Sequence, residues 1–394
     1  MPSVCFTFEV HQPCRLRPYG FFDMGAKNDY EDVELNRSII RKVAQTCYLP
    51  MNALLLELIE RHQGRFRVSF SLSGTVIEQL ETYAPEALES FKALARTGCV
   101  EFLDETDNHG LSCLFSEEEF RATVRRHRER MHELFGQHPR AFRNTELIYS
   151  NDVARMAEDM GYAVILAEGA ADVLDWRSPH FVYRPEGCPG MKLMLTSPSL
   201  SADIASRFSD RSWAAYPLMA ETYAHWLRSV KGNGEVINLS MNYESFGEHQ
   251  GAETGIFEFM HALPDQILSD PEFDFLTVSE AVDRYGAYAA LDVPYPMSRA
   301  GDLAPWLGND MQKDAFRALC ECQGLVDYLN DEELTGIWRK LQTSDHLYYM
   351  GTIRTSDGNA YPALSPYGTP LEAYTNFMNI LADLRIRLVA KSNQ

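Results

Sequence analysis

Long apolar runs are missing from these 394 residues, and nothing approaches the roughly 20 apolar residues that a membrane-spanning helix requires. Positive charge is scarce as well. There are 36 Lys and Arg against 56 Asp and Glu, giving a formal net charge of -20. Such a balance repels phosphate-rich partners, so neither nucleic acid nor an anionic membrane is expected. Cysteine occurs eight times but without a pattern. Cys5, Cys14, Cys47, Cys99, Cys113, Cys188, Cys320 and Cys322 form no pair of CxxC units, and Cys320 and Cys322 are too close for an easy mutual disulfide. Free thiols in a reducing cytoplasm are the expectation. Only Met1 to Ser3 precede the first strand-like run, so no secretory signal is expected.

Several catalytic signatures are also missing. There is no H-E-x-x-H, and no histidine pair at a helical metal-ligand spacing, since His127 and His132 are five apart. Neither a G-x-S-x-G elbow nor a phosphate-binding glycine loop occurs. What is present is a chain with 45% hydrophobic residues, enough to bury one large barrel and an accessory domain.

Val4 to Val10 (VCFTFEV) reads as a buried first strand that ends at His11-Gln12-Pro13. A long loop follows to Asp32, and long loops in compact domains tend to carry function. Helical periodicity runs from about Leu35 to Ala44 and from Asn52 to Arg61, with Pro50 punctuating between them. Further strands are expected at Arg65 to Leu72, Val100 to Leu103, Arg140 to Phe142, Tyr162 to Leu166, Met191 to Leu195 and Phe273 to Leu276. The β-prone run Val236, Ile237, Leu239 and Met241 adds another. Helical stretches separate them, among them Ser116 to Phe135, which opens on a capping-box pattern. Seven or so strands alternating with helices predict a parallel sheet closed into a barrel.

The region from Tyr285 to Gly301 changes style, and beyond it the strand signal fades. Met311 to Leu329, Asp331 to Tyr348 and Pro370 to Ala390 read as helices, the last with Thr369-Pro370 as its cap and first residue. The division expected is a barrel over 1–285 and a helical domain over 286–394. Trp176, Trp213, Trp226 and Trp338 are read as packing residues.

Polar residues gather after the predicted strands: His11, Glu78, Asp104 to His109, Glu146, and Asn242 to His249. In a barrel those strand ends share one face. Carboxylates with a few histidines and many aromatics suit glycoside chemistry, which needs a carboxylate nucleophile, an acid/base carboxyl and flat apolar surfaces for sugar rings. The same carboxylates also serve as helix caps and salt-bridge partners, so this pattern alone does not choose the reaction.

The motifs FEVHQP, SLSGTVIEQL, VEFLDETDNHGLS, FRNTELIYSN, MNYESFGEHQ and LTVSEA, followed by DLAPWLGNDMQ, LQTSDHLYYM and PLEAYTNFMNILADL, run in order along nearly the whole chain. In this the sequence resembles glycoside hydrolase family 57, in its α-amylase and α-amylase-like branch. The resemblance implies an α/β fold, an incomplete (β/α)7 barrel followed by a C-terminal helical domain that helps form a glucan cleft. It implies a retaining mechanism on α-1,4-glucosidic linkages, α-glucan or maltooligosaccharide as ligand, and no metal or cofactor.

By the same resemblance the nucleophile falls on Glu146, and substrate contacts fall on His11, Glu78, Glu244, Trp306 and Asp345. The acid/base aspartate, first residue of a D-x-E-x-F-G pattern, falls on Asn242. An amide can neither donate a proton to a leaving oxygen nor take one from water, and losing that help costs about 10² to 10⁴-fold. Side chains two apart on a strand share a face, so Glu244 is a candidate substitute. Two readings stay open, an α-glucan hydrolase or transglycosylase and a catalytically silent α-glucan-binding protein. A third, a metal-dependent polysaccharide deacetylase, would need His and Asp ligands in the cleft. Oligomeric state is not specified by the sequence.

Overall fold

The computed structural model describes residues 2–298, 301–352 and 365–393. Ten strands are found among them: β1 (Ser3–Val10), β2 (Val68–Leu72), β3 (Val100–Phe102), β4 (Ala141–Arg143), β5 (Val164–Ala167), β6 (Val182–Pro185), β7 (Lys192–Leu195), β8 (Val236–Asn242), β9 (Asp274–Phe275) and β10 (Ala290–Leu291). Seven of these make the barrel. β3, β2, β1 and β8 pair in parallel on one side, and β4, β5 and β7 on the other. The two halves meet at single contacts. Asp104 bridges Phe142 just beyond β3, and Ser197 N donates to Asn238 O just beyond β7. The fold is an incomplete (β/α)7 barrel with helices outside it. β6 runs antiparallel to β7, and β6 and β10, neither visible in the sequence pattern, extend the second half.

Alternation along β1 sets the layering. Val4, Phe6, Phe8 and Val10 face outward into the main apolar core beneath the surrounding helices, as do Phe70 and Leu72 of β2 and Ile237, Leu239 and Met241 of β8. The opposite faces line the barrel. At its lower end Cys5, Leu103, Ala141, Val164, Leu166, Met194 and Val236 form an apolar plug together with Val278, Ala281 and Val282 of the helix Val278–Arg284. Above the plug the lining turns polar. Thr7 Oγ1 donates to Asn238 Oδ1 at 2.9 Å, and the next layer holds Glu9, Ser71, Glu105, Arg143, Ser240 and Asn242. Several loops begin on a side-chain cap that starts the following helix, Ser73 on Val76 N, Ser116 on Glu119 N and Ser150 on Val153 N.

Two expectations about helices change. The stretch around Pro50 is no boundary: helices Val33–Val43 and Leu49–Arg61 are joined by a π turn, Ala44–Tyr48, so the wider turn accommodates the residue that cannot donate. The expected helices over 311–329 and 331–348 each divide, into Asp310–Cys320 and Gln323–Leu329, and into Glu332–Leu341 and Ser344–Tyr348. The second break has a tertiary cause. Thr343 pairs with Gly110, Thr343 Oγ1 donates to Asn108 O at 3.0 Å, and Ser344 N donates to His109 O at 3.0 Å.

These helices and Pro370–Ser392 enclose a core of their own that also takes in Leu16, Tyr19, Leu111 and Ile148 from loops at the upper end of the barrel. β10, Val293 and Met297 pack instead with the second half of the barrel. All eight cysteines are free. Among the described residues no helix is long and apolar enough to cross a membrane.

Candidate active site

Glu146, expected from the resemblance to be the nucleophile, stands on a strained turn. β4 ends at Arg143, and the chain closes a single 3-10 turn, Thr145–Leu147, in which Glu146 has φ 54° and ψ 24° and Leu147 has φ 54°. Left-handed backbone in non-glycine residues costs of the order of 1 kcal/mol or more and persists where surrounding contacts over-determine it. Here Thr145 Oγ1 bonds Thr106 Oγ1 at 2.8 Å, and Asn144 Nδ2 donates to Ile148 O at 2.8 Å across the turn. Glu146 remains 26% exposed while its neighbours are buried.

Beside it lies a group of charges buried in the barrel. His109 is enclosed by three carboxylates: its Nε2 is 3.6 Å from Glu9 Oε1 and 3.6 Å from Glu146 Oε1, and its Nδ1 is 3.6 Å from Glu105 Oε1. Behind them the fully buried Arg143 has a guanidinium nitrogen 2.7 Å from Glu9 Oε2, off the hydrogen-bond direction, and another 3.9 Å from Glu105 Oε2. Ser71 Oγ donates to Glu105 at 2.8 Å. Burial alone would push His109 toward its neutral form. Glu105, Glu146 and Glu9 outweigh that and hold it well above the ordinary imidazole value. Burial likewise opposes the charge of Glu105, but His109, His127 and Arg143 keep its carboxyl below the usual range.

His11, at the end of β1, stacks on His109 with centroids 3.8 Å apart. Its Nδ1 meets Ser73 Oγ at 2.7 Å and its Nε2 meets Asp345 Oδ2 at 2.8 Å. The broken helix 344–348 thus brings Asp345 to the barrel. Burial works against the Asp345 charge, yet His11, His109 and His346 hold its carboxyl well below the usual carboxylate range.

Beside β1, the neighbouring strand β8 delivers Asn242 at its last residue, directly opposite Glu9 in the parallel register. The strand stops there. Glu244 lies in the one-turn helix Tyr243–Ser245, so the alternation expected to set it beside Asn242 does not extend that far. Its carboxylate turns instead to the π turn, accepting from Tyr48 OH at 2.5 Å and from Gln12 Nε2 at 3.5 Å. Cys47 Sγ donates to Tyr243 O at 3.2 Å, fastening the two turns together. Burial pushes the Glu244 carboxyl up to about 7 against the pull of these donors, and the charge of Glu9 adds to the rise.

The structure therefore gathers His11, Glu146, Asn242, Glu244 and Asp345 about the upper end of the barrel, and leaves two expected residues elsewhere. Glu78 stands on the helix Gly74–Tyr83, and its carboxylate pairs with Lys340 at 2.6 Å. Trp306, at 4% exposure, packs in the core of the helical region beside Tyr348. Trp338 is buried as expected, but Trp176 is 84% exposed rather than packed. Glu9 was hidden inside a run read as a buried strand; the parity of Cys5, Thr7 and Glu9 against Phe6, Phe8 and Val10 is the signal that reveals it. Among the described residues no three His, Cys, Asp or Glu side chains converge as a metal site.

A family model, Glycosyl hydrolase family 57, matches residues 5–294. A Methanocaldococcus jannaschii protein named "Putative alpha-amylase" is 40% identical over 407 residues, covering 99% of this chain and 86% of that one. Among solved structures, 4-alpha-glucanotransferase from Thermococcus litoralis superposes with a TM-score of 0.69 at 13% identity over 96% of this chain, which spans only 59% of that enzyme's length. A branching enzyme from Thermococcus kodakaraensis gives a TM-score of 0.69 at 11% identity, over 89% of this chain and 86% of that one. The alpha-amylase AmyC from Thermotoga maritima gives 0.62 at 12% identity, over 98% and 93%. At these identities the solved structures speak for the fold alone, whereas the family model and the 40% identical relative speak for descent. The chain belongs to glycosyl hydrolase family 57.

Proposed function

We propose that this protein acts on α-glucans of the maltooligosaccharide class by a retaining route, with Glu146 as nucleophile and with Asn242 confining turnover to substrates whose leaving group departs unprotonated. The observation that carries the reading is the pairing of a partly exposed carboxylate with an amide. Glu146 is partly exposed beside the cation-bearing cluster, and Asn242 ends β8 in register with Glu9. A retaining glycosidase needs one ionised and one protonated carboxyl flanking the bond. The 40% identical relative named for alpha-amylase supports α-glucan as the substrate class.

Glu244 is the group suited to a partial acid role, since a carboxyl pushed up to about 7 keeps a proton near neutrality. His11 and Asp345 are assigned to sugar hydroxyls, and the helices of 286–394 to one side of the cleft. The eight free cysteines fit a reducing compartment, which supports a cytoplasmic location. The alternative, a glucan-binding protein without turnover, is favoured by Asn242 itself.

Two substrates separate the readings. The unmodified chain is expected to hydrolyse an α-glycosyl fluoride but to cleave maltooligosaccharides poorly, and Asn242→Asp should raise the second rate by about 10² to 10⁴-fold. An aspartate there would face Glu9 across the β1–β8 pair, and a neighbouring like charge favours the protonated form that an acid requires. Bound glucan with no fluoride turnover, and no gain from the aspartate, would establish the binding protein.

A further inference from the structure

His109 holds a place that the retaining scheme leaves unassigned. One ring nitrogen, Nε2, contacts both a carboxylate buried in the barrel, Glu9, and the partly exposed carboxylate of Glu146, each at 3.6 Å. The other, Nδ1, faces Glu105 at 3.6 Å, and His11 covers one ring face. His109 is 1% exposed and its backbone sits at φ 50°, so ring and main chain are both held in a costly arrangement. Arg143 supplies one positive charge behind the two carboxylates of Glu9 and Glu105, and the ring nitrogen of His109 that meets Glu9 also meets Glu146. His109 links that buried charge set to Glu146.

We propose that His109 is the positioning residue of Glu146, engaging its Oε1 and leaving Oε2 to attack, and that Glu9, Glu105 and Arg143 hold the ring in place. The inference rests on the reading of Glu146 as nucleophile. In a retaining cycle that carboxylate first attacks and then departs. A cation against Oε1 favours the carboxylate over its uncharged glycosyl ester and so speeds the step in which it departs, an effect that falls on kcat rather than on substrate binding. The charged groups facing the ring are Glu9 from β1, Glu105 from the loop after β3, and Glu146 from the turn after β4. Arg143 stands behind Glu9, and Asp345 on the far edge of His11. Burial pushes His109 down, and the three carboxylates bring it back well above its ordinary value.

The test uses the full chain with histidine rings labelled for NMR, His109→Asn serving to identify the resonance. His109 should stay protonated above neutral pH, and Glu146→Gln should lower its midpoint by about one unit or more, since the lost charge is one of three supporting it. With an α-glycosyl fluoride, His109→Asn should lower kcat about tenfold or more while KM stays within about threefold. A midpoint unmoved by Glu146→Gln, or a folded His109→Asn protein with undiminished kcat, overturns the proposal. Should His109→Asn fail to fold, the Glu146→Gln titration decides alone, with the resonance identified by its high midpoint. Undiminished fluoride turnover in Glu146→Gln would instead overturn the nucleophile reading, and the titration would still report whether the two residues are coupled.

Discussion

The two walls of the barrel mouth handle charge in opposite ways. On the wall built from β1 and the loops after β3 and β4, Glu9, Glu105 and Glu146 surround His109, with Arg143 behind, and every charge has an opposite neighbour. On the wall built from the end of β8 and the π turn, Asn242 is an amide, and Glu244 accepts from the uncharged side chains of Tyr48 and Gln12. Burial is deep on both walls, so depth does not explain the contrast. Pairing does. Burial opposes charge on both walls; where opposite charges are supplied they outweigh it and hold the charged form, and where they are not, burial favours the proton. One wall thereby favours charged side chains and the other the protonated form of Glu244, and under the proposed assignment this polarity persists although Asn242 is an amide.

The largest expected effect comes from breaking the charged wall. Glu9→Gln keeps the shape of the side chain but leaves Arg143 with only the more distant Glu105. Removing one partner of a buried ion pair typically costs about 3–5 kcal/mol, so urea unfolding at neutral pH should show a loss of that order. A midpoint unchanged from the parent would mean that Glu105 suffices for Arg143, and the wall would then be less interdependent than its geometry indicates.

The contrast also explains which parts of the site were legible in the sequence. Glu146 and Asn242 stand where strand signals end, inside recognisable motifs, so their placement needed little more than strand order. Glu9 was concealed because its strand alternates phenylalanine and valine with residues small enough to read as apolar or neutral, and only the parity separates lining from core. Glu78 follows a strand in sequence but sits on a helix turn beyond the Ser73 cap, where Lys340, distant in sequence, determines its direction. The break before Ser344 is equally invisible locally, since it depends on pairing with Gly110. Barrel order was readable from periodicity. Contacts between the barrel loops and the C-terminal helices were not, because no local pattern encodes them.

The uncharged wall can be sharpened by pH. With a folded-state value of about 7 against about 4.3 for an unfolded glutamate, the native state holds a proton that the unfolded chain has released. Between those two values the native state binds more protons, so Glu244 makes stability fall as pH rises. The penalty is absent below about 4 and complete above about 7, where it amounts to roughly 4 kcal/mol. Glu244→Gln should remove that slope. Its unfolding free energy relative to the parent should climb across this window and then level off, and a difference that is flat with pH would show that Tyr48 and Gln12 keep the carboxylate ionised.

The smallest effect is expected where the charges lie outside both walls. Lys340 pairs with Glu78 and with Glu31, at 2.6 and 2.7 Å, and the Glu78 side chain is 46% exposed. Solvent screens such a pair, and Lys340 retains Glu31 when Glu78 is neutralised, so Glu78→Gln should cost less than about 1 kcal/mol. It should also leave maltooligosaccharide affinity within about twofold of the parent by calorimetry, because among the described residues the ion pair of Glu78 is with Lys340 and not with the cluster around His109. A clear loss of affinity without loss of stability would return Glu78 to the glucan-binding surface. The site would then extend beyond the two walls onto the seam where Lys340 joins the helical region to the barrel, and the contrast between charged and uncharged walls would describe only its centre.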